Sequence, residues 1–427
     1  MRVAIVGAGP AGSALAILLA REGADVTLFD DGRRPELLVG ESLVPAVIPI
    51  LQRLGLEGDT ATCGRVKPGV TFLWSPTTRF SFMFNRFAPT VYPYAYNIAR
   101  PQFDDAVVAK AVAAGVHRVV TRARLEPSGA GGGPELVLDR DSLAAAPTLG
   151  GRQPDLIVDA TGRARHAAHV LGIPARYGPR KDVAHFAHFE NFRWEEPPGQ
   201  VVITRGEAGW SWCIPLKDRL SVGIVLGQDD AAALGRTPDE RLQRAIDKNP
   251  WVSEILTDAK RVTGVATYAN YQLISQRGFG PGWVMAGDAF GFVDPMLSPG
   301  VLVALRSAEL IADALTPFLR RGTAPDATEL HSALRSYAAA QTEMLTAWLE
   351  LVAYLYDGRL LALMEAGQDW ASGGAGVLKT AVQNHIERQI ALQATGTATT
   401  ARYGRRLLRV LSRYGLRGVE PAPRAIR

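Results

Sequence analysis

A glycine-rich turn within the first thirty residues constrains the fold of this chain more than any other feature. Residues 2–6 predict a buried parallel strand, residues 13–21 predict a helix, and residues 24–29 predict a second strand. Three glycines of the intervening turn have separate roles: a tight bend, a close backbone approach to a phosphate, and close packing of helix on strand. They are Gly7, Gly9 and Gly12. The pattern predicts a Rossmann-like fold that binds a dinucleotide.

The segments beside this turn complete the predicted phosphate site. Pro10 and Ala11 lie where the helix starts, and its free N–H groups and positive dipole end would face the pyrophosphate. Asp30 ends the second strand and is predicted to accept a hydrogen bond from a ribose hydroxyl. Because strand, glycines, helix, strand and acid follow in order, a chance glycine-rich turn is the weaker interpretation.

Length and composition favour a folded protein of two or three domains, because 47% of its 427 residues are hydrophobic and 21% are charged. Cys63 and Cys213 form no disulfide framework, so a cytoplasmic location is predicted. No Cys/His cluster has metal-ligand spacing, so no metal is predicted. No stretch reaches the roughly 18 apolar residues of a membrane span, so no integral membrane segment is predicted. No nucleic-acid partner is predicted either.

The positive charge is concentrated in the last segment of the chain. Residues 401–427 hold eight arginines and one acid, which leaves a net charge of −2 for residues 1–400. One interpretation is an amphipathic helix that buries four apolar and aromatic side chains, Tyr403, Leu407, Leu411 and Tyr414. The alternative is a docking surface for an acidic partner, which includes Arg405, Arg406 and Arg409.

A second segment resembles the second FAD fingerprint of the para-hydroxybenzoate-hydroxylase-like flavoprotein superfamily. Residues 283–286 predict a strand that leads into Gly287 and Asp288, and a helix-like stretch starts at Gly300. The resemblance implies that Gly287 and Asp288 contact the ribityl or pyrophosphate region of FAD. It also implies that the helix start, with Gly300 and Val301, faces the isoalloxazine. Arg100 fits the superfamily's R-x-x-F/L-D segment, whose arginine lies near the flavin.

A W-x-W-x-I-P sequence resembles the motif of flavin-dependent halogenases. Residues 210–215 carry it, and strand alternation places Trp210 and Trp212 on one face. In that family the indoles keep the organic substrate away from the flavin. The alternative is a pair of tryptophans in an ordinary core.

Residues 66–74 resemble the segment that carries the catalytic lysine of phenol and pyrrole halogenases, here Lys67. Burial among apolar residues would lower the pKa of this lysine. The amine would then either react with hypohalous acid to give a haloamine or donate a hydrogen bond that polarises the acid. A surface lysine before a Pro-Gly turn is the competing interpretation.

Residues 292–300 match the F-x-x-P-x-x-S-x-G pattern of the same family. The resemblance implies FAD contacts by Pro295, a catalytic role for Ser298, and a halide site at Ser298, Pro299 and Gly300. Tryptophan halogenases carry a glutamate just before this serine. Leu297 takes that place here, which disfavours free tryptophan as the substrate.

Two further comparisons separate this chain from aromatic hydroxylases and extend the resemblance. Phe290 stands where hydroxylases of the superfamily usually carry a histidine, and Ser-Pro-Gly replaces their G-Q-G. Residues 40–45 resemble the halogenase sequence after the second strand, which implies FAD contacts by Glu41 and Ser42.

The expected architecture is α/β with a discontinuous domain arrangement. A Rossmann-like FAD-binding domain of GR2 type would contain residues 1–70, 98–180 and 265–320. A β-sheet substrate domain would be inserted as residues 71–97 and 181–264, and residues 321–427 would form a helical C-terminal region with the basic tail.

The predicted function is an FADH2- and O2-dependent halogenase of secondary metabolism, such as antibiotic biosynthesis. A separate flavin reductase would supply reduced FAD, and chloride or bromide would be oxidised to hypohalous acid. Lys67 would deliver the halogen to an electron-rich ring of phenol or pyrrole type, free or tethered to an acidic acyl or peptidyl carrier protein. The alternatives are an FAD-dependent monooxygenase, a geranylgeranyl-reductase-like oxidoreductase, and a flavin-binding protein without turnover.

Overall fold

The computed structural model describes residues 1–75, 77–129, 133–269, 272–323, 325–372, 377–416 and 420–426, without the side chains of residues 367–379 and 423. The strands among these residues are β1 (Arg2–Val6), β2 (Asp25–Asp30), β3 (Gly64–Lys67), β4 (Gly69–Leu73), β5 (Arg79–Met83), β6 (Ala95–Ile98), β7 (His117–Val120), β8 (Leu125–Pro127), β9 (Leu136–Leu138), β10 (Leu156–Asp159), β11 (Ala175–Tyr177), β12 (Asp182–Glu190), β13 (Val201–Arg205), β14 (Trp210–Pro215), β15 (Leu220–Gly227), β16 (Lys260–Arg261), β17 (Ala266–Ala269), β18 (Leu273–Ser275), β19 (Phe279–Gly280), β20 (Trp283–Met285) and β21 (Gly291–Phe292).

The helices are α1 (Pro10–Arg21), α2 (Ile48–Leu54), α3 (Glu57–Cys63), α4 (Arg100–Ala113), α5 (Arg140–Ala144), α6 (His166–Val170), α7 (Gln228–Leu234), α8 (Pro238–Asp247), α9 (Pro250–Ile255), α10 (Gly300–Arg321), α11 (Ala327–Tyr356), α12 (Arg359–Ser372), α13 (Val377–Ala394) and α14 (Arg402–Tyr414). None of the helices in the described part of the chain is long and apolar enough to cross a membrane.

The first large sheet has the strand order β19-β20-β10-β1-β2-β7, and all its pairs are parallel except β19 with β20. Helix α1 packs against both α4 and α10 beside this sheet. The strands β1, β10 and β20 are buried along almost their whole length, as expected for parallel strands covered on both faces. The predicted α/β class is confirmed.

The second large sheet has the order β16-β12-β15-β14-β13-β4-β5, and β17 also pairs with β12. Its pairs are antiparallel except for β13 with β4. Helices α7, α8 and α9 cover its outer face through a separate core that includes Val202, Cys213 and Val222. The domain boundaries given above stay a prediction, although the pairing of β17 takes the sheet to Ala269.

Registers within this sheet place large apolar side chains in a row on the inner face. Phe72 lies opposite Ile203, Ile203 lies opposite Trp212, and Trp212 lies opposite Gly223. Successive residues of a strand point to opposite faces, so their neighbours on the same strands point outward to the α7–α9 side. The inner row therefore forms a wall that faces the parallel sheet and the C-terminal helices.

The C-terminal helices α11 to α14 pack on each other, and α11 packs along α10. Asp326 caps α11, because its carboxylate accepts bonds from Thr328 N and Glu329 N while the Glu329 side chain accepts from Asp326 N. This reciprocal cap fixes the start of a 30-residue helix whose far end reaches the inner wall.

Helix α14 corrects the predicted burial of the basic tail. Its buried face holds Gly404, Leu408 and Ser412, while Tyr403 and Tyr414 are 58% and 55% exposed. The predicted burial of these side chains is therefore wrong for both tyrosines. Glycine and serine occupy the inner positions instead, because they allow α14 to approach α12 and α13 closely.

Candidate functional site

A cavity of about 720 Å³ lies between the parallel sheet, the inner wall of the antiparallel sheet and helices α11 to α13. Most of the residues predicted for cofactor binding line it, namely Gly7, Gly9, Pro10, Ala11, Asp30, Glu41, Ser42, Arg100, Asp288, Pro295, Gly300 and Val301. The four predicted catalytic residues also line it, namely Lys67, Trp210, Trp212 and Ser298. Three predicted residues do not, namely Gly12, Gly287 and Pro299. The cavity thus joins the glycine-rich turn to the predicted reaction centre.

The glycine-rich turn has the shape needed to hold a pyrophosphate. Gly7 has a φ of 111°, and a Cβ on it would lie 2.3 Å from the Ala160 carbonyl oxygen. A Cβ on Gly12 would lie 2.0 Å from the Gly7 oxygen, so Gly12 allows α1 to pack on the turn. Gly9 differs, because no described residue other than its chain neighbours places an atom within 4 Å of its Cβ position. Its open side, beside the first-turn amides of α1, fits a bound phosphate group.

Asp30 lies at the carboxyl end of β2 on the cavity, as predicted, but it already has protein partners. Its Oδ2 accepts from Arg118 at 2.6 Å, and its Oδ1 accepts from Gly32 N at 3.1 Å. The ribose contact of Asp30 stays a prediction that rests on its remaining lone pairs.

Arg100 and Asp288 bring opposite charges to the cavity wall. The Arg100 guanidinium donates to Asp104 at 3.1 and 3.0 Å and to the Val39 carbonyl. Burial raises the pKa of Asp288 to about 6, and the nearby Arg100 and Arg163 oppose that rise. Gly287, a predicted cofactor residue, donates its N–H to Ser307 Oγ at 2.8 Å, so this N–H already has an acceptor within the protein.

Lys67, the last residue of β3, is buried, with only 2% of its surface exposed. Its Nζ donates to Ser42 Oγ at 2.8 Å and to the Leu43 carbonyl at 2.9 Å. The fourth tetrahedral position of Nζ holds either a third N–H or a lone pair. Burial lowers the pKa of Lys67 to about 7, so the amine and ammonium forms coexist near neutral pH. The surface-lysine interpretation is therefore excluded.

The turn before α10 has an unusual backbone. Leu297 and Ser298 have φ values of 65° and 58°, in the left-handed region that non-glycine residues rarely adopt. Ser298 N donates to the Pro295 carbonyl at 3.0 Å, and α10 begins two residues later at Gly300. Ser298 and the first-turn amides of α10 thus meet at the cavity, where free N–H groups favour an anion.

Trp210 and Trp212 lie on the same face of β14, as predicted, with their ring centroids 5.9 Å apart. Trp210 Nε1 donates to the Tyr356 hydroxyl at 2.9 Å, and Trp212 Nε1 donates to Ser221 Oγ at 3.1 Å. A Cβ on Gly223 would lie 2.2 Å from the Trp212 ring, so the glycine allows this indole to lie flat against β15.

The rest of this part of the cavity is apolar. Every described residue that β4, β5, β12, β13, β14 and α11 to α13 contribute to the lining is apolar, namely Val70, Phe72, Phe82, Ala184, Val201, Ile203, Trp210, Trp212, Ile214, Leu355, Leu360, Leu361, Met364, Ile390, Ala391 and Ala394. We call this set the apolar wall. Phe84 and Phe87, from the short 3₁₀ turn after β5, continue it.

Glu41 is buried beside Lys67 but is occupied by a protein partner. Its Oε1 accepts a 2.6 Å hydrogen bond from Nε2 of His188, which is also buried. The bond keeps the Glu41–Ser42 segment in place, so Ser42 Oγ is held where Lys67 reaches it.

Comparisons with known proteins agree with this geometry. Residues 1–346 match the model of the FAD binding domain family. A tryptophan 2-halogenase of Chondromyces crocatus is 29% identical over 366 residues, which cover 83% of this chain and 68% of that protein. A 1H-pyrrole-2-carbonyl-[peptidyl-carrier protein] brominase of Pseudoalteromonas luteoviolacea is 26% identical over 73% of this chain and 76% of that protein. The structure of the myxobacterial chondrochloren halogenase superposes with a TM-score of 0.73 at 27% identity, covering 83% and 82% of the two chains.

The chain belongs to the FAD binding domain family and, within that family, to the flavin-dependent halogenases. The residues of this halogenase fit FAD, because the close contacts at Gly7 and Gly12 and the open side of Gly9 form a cradle for its pyrophosphate.

Two residues of the halogenase site were missed by sequence reasoning. Asp294 and Tyr356 form a buried hydrogen-bonded pair behind Trp210 and the turn of residues 295–298. Asp294 lies inside the F-x-x-P motif but at one of its variable positions, and Tyr356 is 62 residues further along the chain. No local pattern in the sequence could have joined them.

Proposed function

We propose that this halogenase uses reduced FAD, oxygen and chloride or bromide to halogenate a neutral, electron-rich ring of phenol or pyrrole type. The observation that carries the proposal is the position of Lys67, which is buried in one cavity with both the glycine-rich turn and the apolar wall. When bound, reduced FAD supplies with oxygen the oxidising power that turns halide into hypohalous acid.

The protein's own residues then position the reactants. Gly9 and the start of α1 hold the pyrophosphate, and Arg100 and Asp288 line the path beyond it. Ser298 and the first turn of α10 form the halide site, because the first-turn amides are free N–H donors at the positive end of a 22-residue helix. We call residues 295–298, which end in Ser298, the halide turn.

Lys67 transfers the halogen from hypohalous acid to the ring. In its amine form, the Nζ lone pair forms the nitrogen–halogen bond, the halogen–oxygen bond breaks, and water leaves after proton transfer. The ring carbon then takes the halogen and loses a proton, which restores the amine. We favour this route over polarisation by the ammonium, because an ammonium donor would need no lowered pKa, whereas burial brings the pKa of Lys67 to about 7.

The apolar wall sets the class of substrate. Burying an uncompensated charge is costly, and no residue of the apolar wall carries an opposite charge for an ammonium or a carboxylate. A neutral ring fits this wall, while the zwitterion of a free amino acid does not. Leu297, which lines the cavity just before Ser298, adds apolar surface at the place of the glutamate of tryptophan halogenases.

The test is an incubation with FAD, a flavin reductase, NADH, oxygen and halide, offered a panel of phenols, pyrroles, indoles and free tryptophan. We expect halogenated phenols or pyrroles and no halogenated tryptophan. Efficient halogenation of free tryptophan would contradict the proposed substrate class. Hydroxylated products formed without halide would replace the proposal with a monooxygenase, and alkene reduction without oxygen would replace it with a reductase.

We also propose that a separate reductase supplies the reduced FAD. One sheet of dinucleotide-binding type is present in the described parts of the chain, and its cradle is the one assigned to FAD. NADH alone should therefore give no turnover until a flavin reductase is added. The free thiols of Cys63 and Cys213 agree with a reaction in the reducing cytoplasm.

The outward face of α14 favours a substrate delivered by an acidic carrier protein. Arg405 and Arg409, two of the three arginines predicted for docking, form ion pairs with Glu350 at 2.8 and 2.7 Å. Their charges are therefore partly neutralised within the protein. Arg402, Arg406 and Arg413 are exposed and form a stripe next to a second stripe of Tyr403, Val410 and Tyr414. The face lies outside α12 and α13, which contribute to the apolar wall.

Charge reversal tests this delivery. The variant R402E/R406E/R413E should lose turnover of a carrier-tethered pyrrole while it keeps turnover of the free ring, because only docking depends on the arginine stripe. The variant R140E/R152E/R335E reverses three other exposed arginines and serves as the control. Equal turnover of the tethered substrate by both variants would reject the docking face.

A further inference from the structure

The turn that carries Ser298 requires support from its surroundings. Two successive non-glycine residues in the left-handed region are strained, so such a turn persists only where neighbouring groups hold it. One internal bond, from Ser298 N to the Pro295 carbonyl, closes the turn itself. Asp294, the residue before the turn, adds a second bond by accepting from Met296 N.

Asp294 is completely buried and acts as an acceptor for three donors. Its Oδ1 accepts from Met296 N at 2.9 Å, and its Oδ2 accepts from Gln272 Nε2 at 3.1 Å. The Tyr356 hydroxyl lies 3.2 and 3.3 Å from the two oxygens and donates to them. The carboxylate thus holds the first half of the turn against α11.

The same hydroxyl links the turn to the inner wall. Tyr356 accepts a 2.9 Å bond from Trp210 Nε1, so Trp210, Tyr356 and Asp294 form a continuous chain. The Arg180 guanidinium lies 3.9 Å from the centre of the Tyr356 ring and pairs with Asp182 at 2.5 Å. The tyrosine is therefore fixed on both its ring face and its hydroxyl.

We propose that Asp294 is a positioning residue that couples the halide turn to Trp210 through Tyr356, and that this coupling keeps hypohalous acid on the path to Lys67. The inference rests on the proposed function for the identity of the oxidant. Ser298 and Trp210 both line the cavity, one on each side of that path, whereas Asp294 does not line it. Loosening either side would open space through which the acid escapes.

The protonation of Asp294 agrees with this role. Burial is the main reason that the pKa of Asp294 rises to about 7; the neighbouring Asp182 also raises it, while the Met296, Gln272 and Tyr356 donors oppose the rise. Above that pH the carboxylate accepts from all three donors. Below it the protonated group must donate one bond, so its match to three donors is lost. Arg180, which pairs with Asp182, and Tyr356 are the other ionisable groups that face it.

The first experiment follows the oxidant. Y356F and D294N are compared with Y337F, which removes the buried hydroxyl of another tyrosine of α11 that bonds to the Met285 carbonyl. We expect Y356F and D294N to give about tenfold less halogenated ring per FADH2 oxidised, with more hypohalous acid caught by a thioether trap. Y337F should match the wild type. The ratio is measured in single turnovers of enzyme loaded with FADH2 and freed of unbound flavin, so it does not depend on how much protein folds.

The second experiment uses the protein without cofactor. All proteins carry K67M, which removes the overlapping titration of Lys67. Tryptophan emission is recorded between pH 5 and 9, and the emission of the matching W210F variant is subtracted to isolate the signal of Trp210. We expect a transition near the Asp294 pKa of about 7 that is absent in D294N and Y356F.

These measurements separate two kinds of failure. Unchanged product ratios in D294N and Y356F, or a Trp210 transition that persists in both, would overturn the role of Asp294. A wild-type enzyme that halogenates no ring would overturn the proposed function instead, and the emission titration would still decide whether Asp294 is linked to Trp210.

Discussion

The two ends of the cavity are built by opposite means. The FAD cradle is made from glycines that are close in sequence. Its shape depends on the lack of a side chain at Gly7, Gly9 and Gly12. The reaction end is made from large side chains of distant segments, from Val70 to Ala394. The cradle fits FAD, which many flavoproteins bind. We therefore expect the side chains of the reaction end to determine which reaction follows.

The largest expected effect comes from removing the amine of Lys67. K67M keeps the length and burial of the side chain but has no amine, so halogenated product should fall at least about a hundredfold. Hypohalous acid should still form and accumulate in a thioether trap, because the FAD cradle is untouched. Product formation is measured by mass spectrometry. Undiminished halogenation by K67M would show that the reaction end does not depend on Lys67.

The next effect belongs to the cradle and separates its glycines. Gly9 has free space at its Cβ position, while the Cβ of Gly12 would overlap the Gly7 oxygen. G9V should therefore fold with an unchanged melting temperature but lose about tenfold or more in FAD affinity, since the valine occupies phosphate space. G12V should unfold at lower temperature, because the overlap separates α1 from the turn.

FAD affinity is measured by flavin fluorescence, and melting by circular dichroism without cofactor. An unchanged FAD affinity in G9V would place the pyrophosphate elsewhere. A normal melting temperature in G12V would show that α1 can shift without cost.

The contrast between the two ends also explains what the sequence could predict. Gly7 to Asp30 lie within one strand–helix–strand unit, so spacing alone predicts their shared role. The predicted burial of Lys67 and the shared face of Trp210 and Trp212 follow from local apolar neighbours and strand alternation, and the structure agrees with both. Tyr356 could not be assigned in this way, because its contact with Trp210 spans 146 residues. The exposed Tyr403 was misjudged because a tyrosine on an amphipathic helix fits either face.

A third prediction concerns the pH dependence of the reaction end. If the amine of Lys67 reacts, the rate of halogenation rises about tenfold per pH unit below the pKa of about 7, stops rising above it, and falls only where hypohalous acid itself ionises. The sign follows from protonation, which removes the lone pair as the pH falls. Rates are measured with hypohalous acid supplied directly and in a D294N background, so that the titration of Asp294 near the same pH does not contribute. A rate that stays level below pH 7, with no acid limb, would favour polarisation by the ammonium instead.

The smallest expected effect is a displacement of that acid limb. Ser42 Oγ accepts one of the two hydrogen bonds of Lys67 Nζ, and an acceptor favours the ammonium over the amine. S42A removes it, so the pKa of Lys67 should fall and the acid limb should move by up to about one unit toward lower pH. S336A, which removes an exposed serine hydroxyl of α11, should leave the limb in place. A shift toward higher pH in S42A would mean that Ser42 donates its proton to the amine, which would make the serine part of the reaction end.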